Sequence, residues 1–256
     1  MQGHSLRVTE TAEYWDRKWA FGEHRPERVI LDGSDGEEEF DKELQKRTVR
    51  KIVLDEGCGS GVFTLKIARR GERIRGIDTS RTALRLAEKN LARSKLSNAI
   101  FHLADAYRLP FSDNSFDVVY SRRGPGSDNS RTLAEAYRVL KRNGIFMEIT
   151  IGERDKQNLA RIFGRGQMLH VRGRVSTTKR GMMEKAGYTQ VVTRDYLATE
   201  VFKGMPDLLV RLQSAPIIPS FDSRKDRVFL DRVEKECMTD RGIETPVHRV
   251  VLIGHK

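Results

Sequence analysis

Cysteine is scarce in this chain, and long apolar runs are missing. Among 256 residues only Cys58 and Cys237 are cysteines, which is too few for a structural zinc site or a disulfide framework. No run of eighteen apolar residues occurs, and the sequence after Met1 has no apolar segment of the signal-peptide kind. We therefore expect a soluble, cytoplasmic protein that binds no metal and contacts no membrane.

Acidic residues are outnumbered by basic ones. The chain has 47 lysines and arginines against 36 aspartates and glutamates, a net charge of +11. The excess is uneven, because residues 1–50 carry −3 whereas residues 51–150 and 151–256 carry +7 each. A basic body favours an anionic partner, and nucleic acid is one candidate. A general lysine and arginine bias of the source organism would explain the charge equally well.

Residues 51–61 read KIVLDEGCGSG and carry the most informative pattern of the chain. The apolar run 52–54 predicts a buried strand that ends at Asp55. Three glycines follow at alternate positions: Gly57, Gly59 and Gly61. A helical pattern comes next, so the polar end of a ligand can approach bare backbone at this strand–turn–helix junction. The spacing differs from the dinucleotide fingerprint G-x-G-x-x-G.

Two further predicted strands also end near acidic residues. Residues 73–78 form a strand that ends at Asp78, and residues 99–104 form another that precedes Asp105. A loop, a fourth strand, a helix and a fifth strand complete a β-α-β-α-β-loop-β-α-β order by residue 150. The strand ends of an open α/β sheet converge at the crevice where ligands bind, and a carboxylate at the second strand can accept both ribose hydroxyls of a nucleoside cofactor.

The passages LPFSDNSFDVV and EAYRVLKRNGIF, together with the glycine motif and the acids, closely resemble class I S-adenosylmethionine (SAM) methyltransferases of the type 11-like group. The resemblance covers residues 51–150 at four motifs. It implies an α/β fold with a Rossmann-like, doubly wound, seven-stranded sheet in the order 3-2-1-4-5-7-6. About forty residues separate the last two candidate strands, so we also infer a helical insertion between strands six and seven.

The resemblance implies SAM as the cofactor and assigns a set of residues to it. The cofactor-binding candidates are Asp55, Glu56, Gly57, Cys58, Gly59, Gly61, Asp78, Thr79, Asp105, Ala106 and Ser121. In the family, an acid at the position of Asp105 binds the adenine amine, and Thr79 would pack against the adenine. Glu56 departs from the family, which usually has an apolar residue there; it would either reach the cofactor's ammonium group or face solvent.

The predicted organisation has four parts: an N-terminal helical lid or extension (1–50), a SAM-binding core (51–203), a helical insertion that caps the site (204–244) and a last core strand (245–256). Residues 9–21 predict an aromatic-rich helix, which either folds over the cofactor or docks onto the core. Turn residues predict a loop over 22–36.

The acceptor side is less defined. Substrate-binding candidates are Tyr14, Arg122 and Arg123; His102, His170 and His248 are possible bases, although a lone histidine is more often structural. No catalytic residue is assigned. Residues 121–126, SRRGPG, lack the Asn/Asp-Pro-Pro-aromatic string of many amino methyltransferases of nucleic acid. The basic, glycine-interrupted segment 153–180 is either a mobile loop that suits phosphates or a solvated surface.

The expected function is therefore methyl transfer from SAM, with a small-molecule acceptor slightly favoured. An RNA (rRNA or tRNA) acceptor is the alternative, supported by charge alone. A non-catalytic SAM-fold protein that binds nucleic acid or a partner is a further alternative, and the intact glycine loop and three acids argue against it.

Overall fold

The computed structural model describes residues 11–20 and 28–256. Its helices are α1 (Ala12–Ala20), α2 (Glu37–Arg47), α3 (Val62–Ala68), α4 (Arg81–Ser94), α5 (Ser130–Val139), α6 (Gln157–Phe163), α7 (Val175–Lys185), α8 (Met205–Ser214) and α9 (Arg227–Cys237). Its strands are β1 (Arg28–Leu31), β2 (Ile52–Glu56), β3 (Arg73–Asp78), β4 (Ala99–Leu103), β5 (Phe116–Arg122), β6 (Leu140–Ile151), β7 (Thr189–Phe202), β8 (Met238–Thr239) and β9 (Gly242–His255). No helix in these ranges is long and apolar enough to cross a membrane.

The strands form one mixed sheet in the order β4-β3-β2-β5-β6-β9-β7-β1, with β8 added to β9. The five neighbouring strands β4, β3, β2, β5 and β6 are parallel to one another. Strand β9 lies between β6 and β7 and is antiparallel to both. Leaving β1 and β8 aside, this is the predicted order 3-2-1-4-5-7-6, and α8 and α9 are the predicted helices between the last two core strands. The fold prediction is confirmed.

Apolar layers cover both faces of the central strands. Leu54 and Phe146 belong to the layer that packs under α5 and α7. Val53 and Met147, one residue away on the same strands, belong to the layer under α2, α3 and α4. The alternation follows from the two-residue repeat of a strand, and burial on both faces is why the parallel strands are apolar almost throughout.

The loop predicted over residues 22–36 is wrong for part of its length. Arg28–Leu31 forms the edge strand β1, which pairs antiparallel with Thr199–Phe202 of β7. The apolar, β-branched centre of this short run finds hydrogen-bond partners on the open edge of β7, and this long-range pairing outweighs the local turn signals. Residues 22–27, also part of that prediction, lie outside the described ranges, as do residues 9, 10 and 21 of the helix predicted over 9–21.

The prediction of a loop over residues 153–180 is also wrong for part of its length, although residues 164–174 are not helical. The segment contains α6 and half of α7, and several of its basic residues are bound within the fold. Lys156 lies 2.6 Å from Glu200, and Arg165 lies 2.7 Å from Asp226 in the insertion. Since α6 also shares an apolar cluster with α8 and α9, the segment anchors the insertion.

Candidate active site

The glycine loop after β2 is held against the end of β3. The backbone N–H groups of Gly57 and Cys58 both donate to the Ile77 carbonyl at 2.9 Å. The Gly59 N–H donates to Oδ2 of Asp78 at 2.9 Å. Gly59 has a φ of 53°, and a Cβ there would lie 2.6 Å from the Trp19 ring. Only glycine fits this left-handed, crowded position.

Asp78 uses both carboxylate oxygens to organise the loop. Oδ1 accepts the Ser80 N–H at 2.9 Å, while Oδ2 accepts the Gly59 N–H. Burial raises the pKa of Asp78, and these hydrogen bonds oppose the rise. Each carboxylate oxygen keeps lone-pair capacity beyond one bond, so Asp78 can also accept ribose hydroxyls. The residues present therefore fit the nucleoside part of SAM.

Asp55 is buried beneath the loop. Its Oδ2 accepts hydrogen bonds from the hydroxyls of Thr64 and Tyr120, both at 2.6 Å. Burial raises the pKa of Asp55 to about 6, against the effect of these two bonds, and the nearby charge of Asp78 adds to the rise. This carboxylate fastens β2 to α3 and β5 beside the glycine turn.

A cleft of about 370 Å³ opens at the carboxyl ends of β3 and β4. It is lined by Ala12, Glu13, Asp16, Thr79, Arg81, Leu103, Ala104 and Asp105. Thr79 and Asp105, two of the cofactor candidates, thus share one wall. Asp105 is exposed and accepts the Tyr107 N–H at 2.9 Å, whereas Ala106 is buried. The cleft suits the adenine end of the cofactor.

Helix α1 lies across this edge of the sheet. Oδ1 of Asp16 accepts hydrogen bonds from the Ser80 hydroxyl at 2.7 Å and the Thr82 N–H at 2.8 Å, at the start of α4. Lys18 donates to the Gln213 carbonyl at the end of α8. Tyr14 packs edge-on against Trp15, with ring centroids 5.4 Å apart. The helix therefore joins the glycine loop, α4 and the insertion.

Glu56 points away from solvent. It is fully buried, and neither of its oxygens has a hydrogen-bond partner within the described part of the chain. Burial raises its pKa well above the usual range, and the nearby Glu148 raises it further. The solvent-facing alternative for Glu56 is wrong, because its side chain shares a sheet face with Ser121 and Glu148, its neighbours in register across β5 and β6.

The loop after β5 is fastened by the cofactor candidate Ser121, by Lys179 of the basic segment 153–180, and by Ser127 and Glu148, which the sequence did not single out. Oε2 of Glu148 accepts the N–H and the hydroxyl of Ser127, and Lys179 of α7 donates to the Ser127 carbonyl at 2.9 Å. Ser121 accepts the Gly126 N–H at 3.2 Å. The available signal was a single acid, Glu148, within an otherwise apolar predicted strand.

The two arginines after β5 differ in their contacts. Arg122 donates to Glu37 at 2.7 Å and to Asp41 at 3.0 Å, so its guanidinium is occupied in holding α2. Arg123 lies 3.5 Å from Glu37, and its Nε is buried without a hydrogen-bond partner. Of these two acceptor candidates, only Arg123 retains buried donor capacity.

His248 has no ring nitrogen left for catalysis. Its Nδ1 accepts the Arg154 N–H at 3.2 Å, which leaves the proton on Nε2 to donate to Asp195 at 2.9 Å. His102 packs edge-on against Phe111, with centroids 5.4 Å apart, and burial lowers its pKa. These contacts are structural.

A family model described as "Methyltransferase domain" matches residues 48–188, more than half of the chain. The chain belongs to this family, the class I SAM-dependent methyltransferase domains. The structure has the sheet order that the resemblance implied, and it places the glycine loop and the three acids at the ends of neighbouring strands.

Among curated relatives, the demethylmenaquinone methyltransferase of Thermotoga maritima is 36% identical over 116 residues, which cover 41% of this chain and 48% of the relative. The chain spans about half the length of the curated relatives it matches. The YcgJ protein of Bacillus subtilis shares the fold at 19% identity, with a TM-score of 0.65 over 86% of this chain and 98% of that one. The [4+2]-cyclase SpnF does so at 18% identity, with a TM-score of 0.64 over 97% of each chain.

Proposed function

We propose that this protein transfers a methyl group from SAM to a small-molecule acceptor. The observation that carries the proposal is the alignment of Asp55, Asp78 and Asp105 at three neighbouring strand ends, around the glycine loop that Asp78 and Ile77 hold in place. In this proposal Asp78 accepts the ribose hydroxyls, while Thr79 and Asp105 meet the adenine in the cleft beside β4.

Methyl transfer requires little from the protein beyond the alignment of the methyl donor with the acceptor. SAM supplies a methyl group already activated on a sulfonium. The chain's task is to hold the acceptor in line and to keep water out. A base is needed only if the acceptor must lose a proton during transfer, and the engaged nitrogens of His248 exclude that residue from the role.

A small acceptor fits the covered site better than RNA. Helix α1 bridges from α4 to the insertion through Asp16 and Lys18, which narrows access to the glycine loop. Lys156 and Arg165, two of the basic residues best placed by sequence to bind phosphates, are paired with Glu200 and Asp226. The demethylmenaquinone methyltransferases among the relatives are named for a small-molecule substrate. RNA retains only the net charge in its favour.

The test is isothermal titration with SAM and with S-adenosylhomocysteine. We expect wild-type protein to bind in the micromolar range, about −8 kcal/mol. Asp78→Asn should weaken binding at least tenfold, because it removes the charge and one acceptor oxygen that the ribose hydroxyls need. Asp231→Asn, at an exposed position on α9, is the matched control and should bind as wild type does. Equal affinity of Asp78→Asn and wild type would contradict the proposed site.

A further inference from the structure

Three arginines from three different parts of the chain have the same unusual feature. Arg123 follows β5, Arg211 lies on α8 and Arg249 lies on β9. In each, the Nε is buried and has no hydrogen-bond partner within the described part of the chain. Burial lowers the pKa of Arg123 to about 10 against the pull of Glu37, and the like charges of Arg122, Arg249 and Arg211 lower it further. The positive charges of the three guanidinium groups therefore repel one another.

Each of the three carboxylates near these arginines already faces two cations. Glu37 faces Arg122 and Arg123, Glu200 faces Arg28 and Lys156, and Asp155 faces Arg249 and Lys156. Arg211 makes no side-chain hydrogen bond or ion pair with the residues that the structure describes. Burial lowers its pKa, and the charges of Arg249 and Arg28 counteract that of Glu200. Oε1 of Glu37 and Oε2 of Glu200 also lack a hydrogen-bond partner, but each already lies within ion-pair distance of a cation, Arg123 and Lys156 respectively. Within the described part of the chain, Arg211 is thus the arginine of the three that no acid reaches.

Arg249 is paired with Asp155 and 31% of the Arg123 side chain is exposed, so the cost of burial falls mainly on the partly buried Arg211, unless something else supplies negative charge. An unpaired buried cation destabilises a fold by the loss of its hydration. Guanidinium groups present planar, paired donors that match a carboxylate or a phosphate. Destabilising residues of this kind are typical of binding sites, where function outweighs stability.

The position of this arginine cluster, Arg123, Arg211 and Arg249, suits a methyl acceptor that must lie beside the cofactor. From β4 to β2 the strand ends carry Asp105, Asp78 and Asp55. The next strand, β5, leads directly into Arg123, and Arg249 stands opposite Ile151, the last residue of β6. Arg123 and Arg249 therefore follow the cofactor residues along one edge, and Arg211 of the insertion lies near enough for its charge to lower the pKa of Arg123.

We propose that Arg123, Arg211 and Arg249 bind an anionic group, a carboxylate or a phosphate, on a small methyl acceptor. The assignment of this anion to an acceptor rests on the proposed methyltransferase function. The insertion then contributes directly to acceptor recognition through Arg211, and α8 completes a site that the core strands begin.

Arg211→Gln tests the proposal, because the residue has no described partner whose loss would unfold the protein. The probes are inorganic phosphate and malonate, each titrated against chloride at equal ionic strength in thermal unfolding. We expect at least one of them to raise the unfolding temperature of wild type with a millimolar apparent Kd, and the preferred probe distinguishes phosphate from carboxylate. In Arg211→Gln that Kd should rise at least tenfold. Arg227→Gln, an exposed arginine of α9, should respond as wild type.

Without added anion, Arg211→Gln should be at least as stable as wild type, since it removes a like charge. A lower unfolding temperature with an unchanged anion response would show a structural arginine and overturn the proposal. A wild type that neither anion stabilises would also overturn it. Binding of RNA that persists in Arg211→Gln and is the only anion effect would assign the charge to nucleic acid instead. S-adenosylhomocysteine titration on the same samples reports the cofactor site separately: retained binding with no anion effect refutes this inference alone.

Discussion

At the scale of single residues, the most unusual one is Glu56. A carboxyl group buried without a partner is held protonated, because its charged form would lose hydration and face Glu148. The unfolded chain ionises the same carboxyl near its ordinary pKa of 4.5. The folded state therefore binds one more proton above that pH, and this residue's contribution to stability falls as the pH rises.

Replacing Glu56 with glutamine should remove that penalty. We expect Glu56→Gln to raise the free energy of unfolding at pH 7 by on the order of 1–3 kcal/mol. The gain should shrink as the pH falls through 4.5, because below that pH the folded and the unfolded wild-type chain are both protonated at this position. Urea unfolding at pH 5, 6 and 7 measures the difference. Glu88→Gln, an exposed control on α4, should leave the wild-type slope intact, and a gain independent of pH would refute a buried, protonated Glu56.

At the scale of elements, α1 is the segment whose position depends most on its surroundings. A nine-residue helix is marginal alone, so its contacts with α4, the glycine loop and α8 hold it in place. The Trp19 ring covers Gly59, so a ligand reaches the backbone at that position only if α1 moves. We therefore expect α1 to behave as a lid that adjusts when the cofactor binds.

Both tryptophans of the chain, Trp15 and Trp19, lie on α1, so tryptophan fluorescence reports on this helix alone. Saturating S-adenosylhomocysteine should change the emission of wild type. Asp16→Ala removes two hydrogen bonds to α4 and should speed ligand dissociation by about 5–10-fold. Stopped-flow fluorescence measures both effects, with Arg17→Ala on the same helix as the control. Unchanged emission on saturation would mean that α1 is a fixed part of the core.

The limits of sequence-based prediction follow from where the determining contacts lie. The sheet order and the strand-end acids Asp55, Asp78 and Asp105 were predictable, because each depends on local strand, turn and helix patterns within a known order. Strand β1 was not, since only its pairing with the distant β7 defines it. The arginine cluster combines residues 123, 211 and 249, and no spacing in the sequence relates them. Residues assembled from distant segments become visible only in the fold.

At the scale of the whole molecule, the net charge of +11 overlies many ion pairs, and only the cations outside those pairs are available to a partner. Many of its arginines and lysines are paired, as Arg138 is with Glu135 and Asp113, and Arg241 with Asp32 and Glu244. An RNA-binding surface needs instead several cations free to meet phosphates along one track. Part of the positive charge of this chain is therefore bound in ion pairs within the fold.

We therefore expect RNA binding to be weak and nonspecific. A single-stranded RNA of about 20 nucleotides should bind with few phosphate contacts, so the slope of log K against log salt should stay below about 2 in magnitude. Fluorescence anisotropy between about 50 and 200 mM KCl measures it. Arg161→Gln, at an exposed position of α6, should change the affinity only slightly. A slope of 4 or more that falls by about 1 with that single change would restore RNA as the acceptor, because so steep a dependence on salt requires several phosphate contacts, of which Arg161 would supply one.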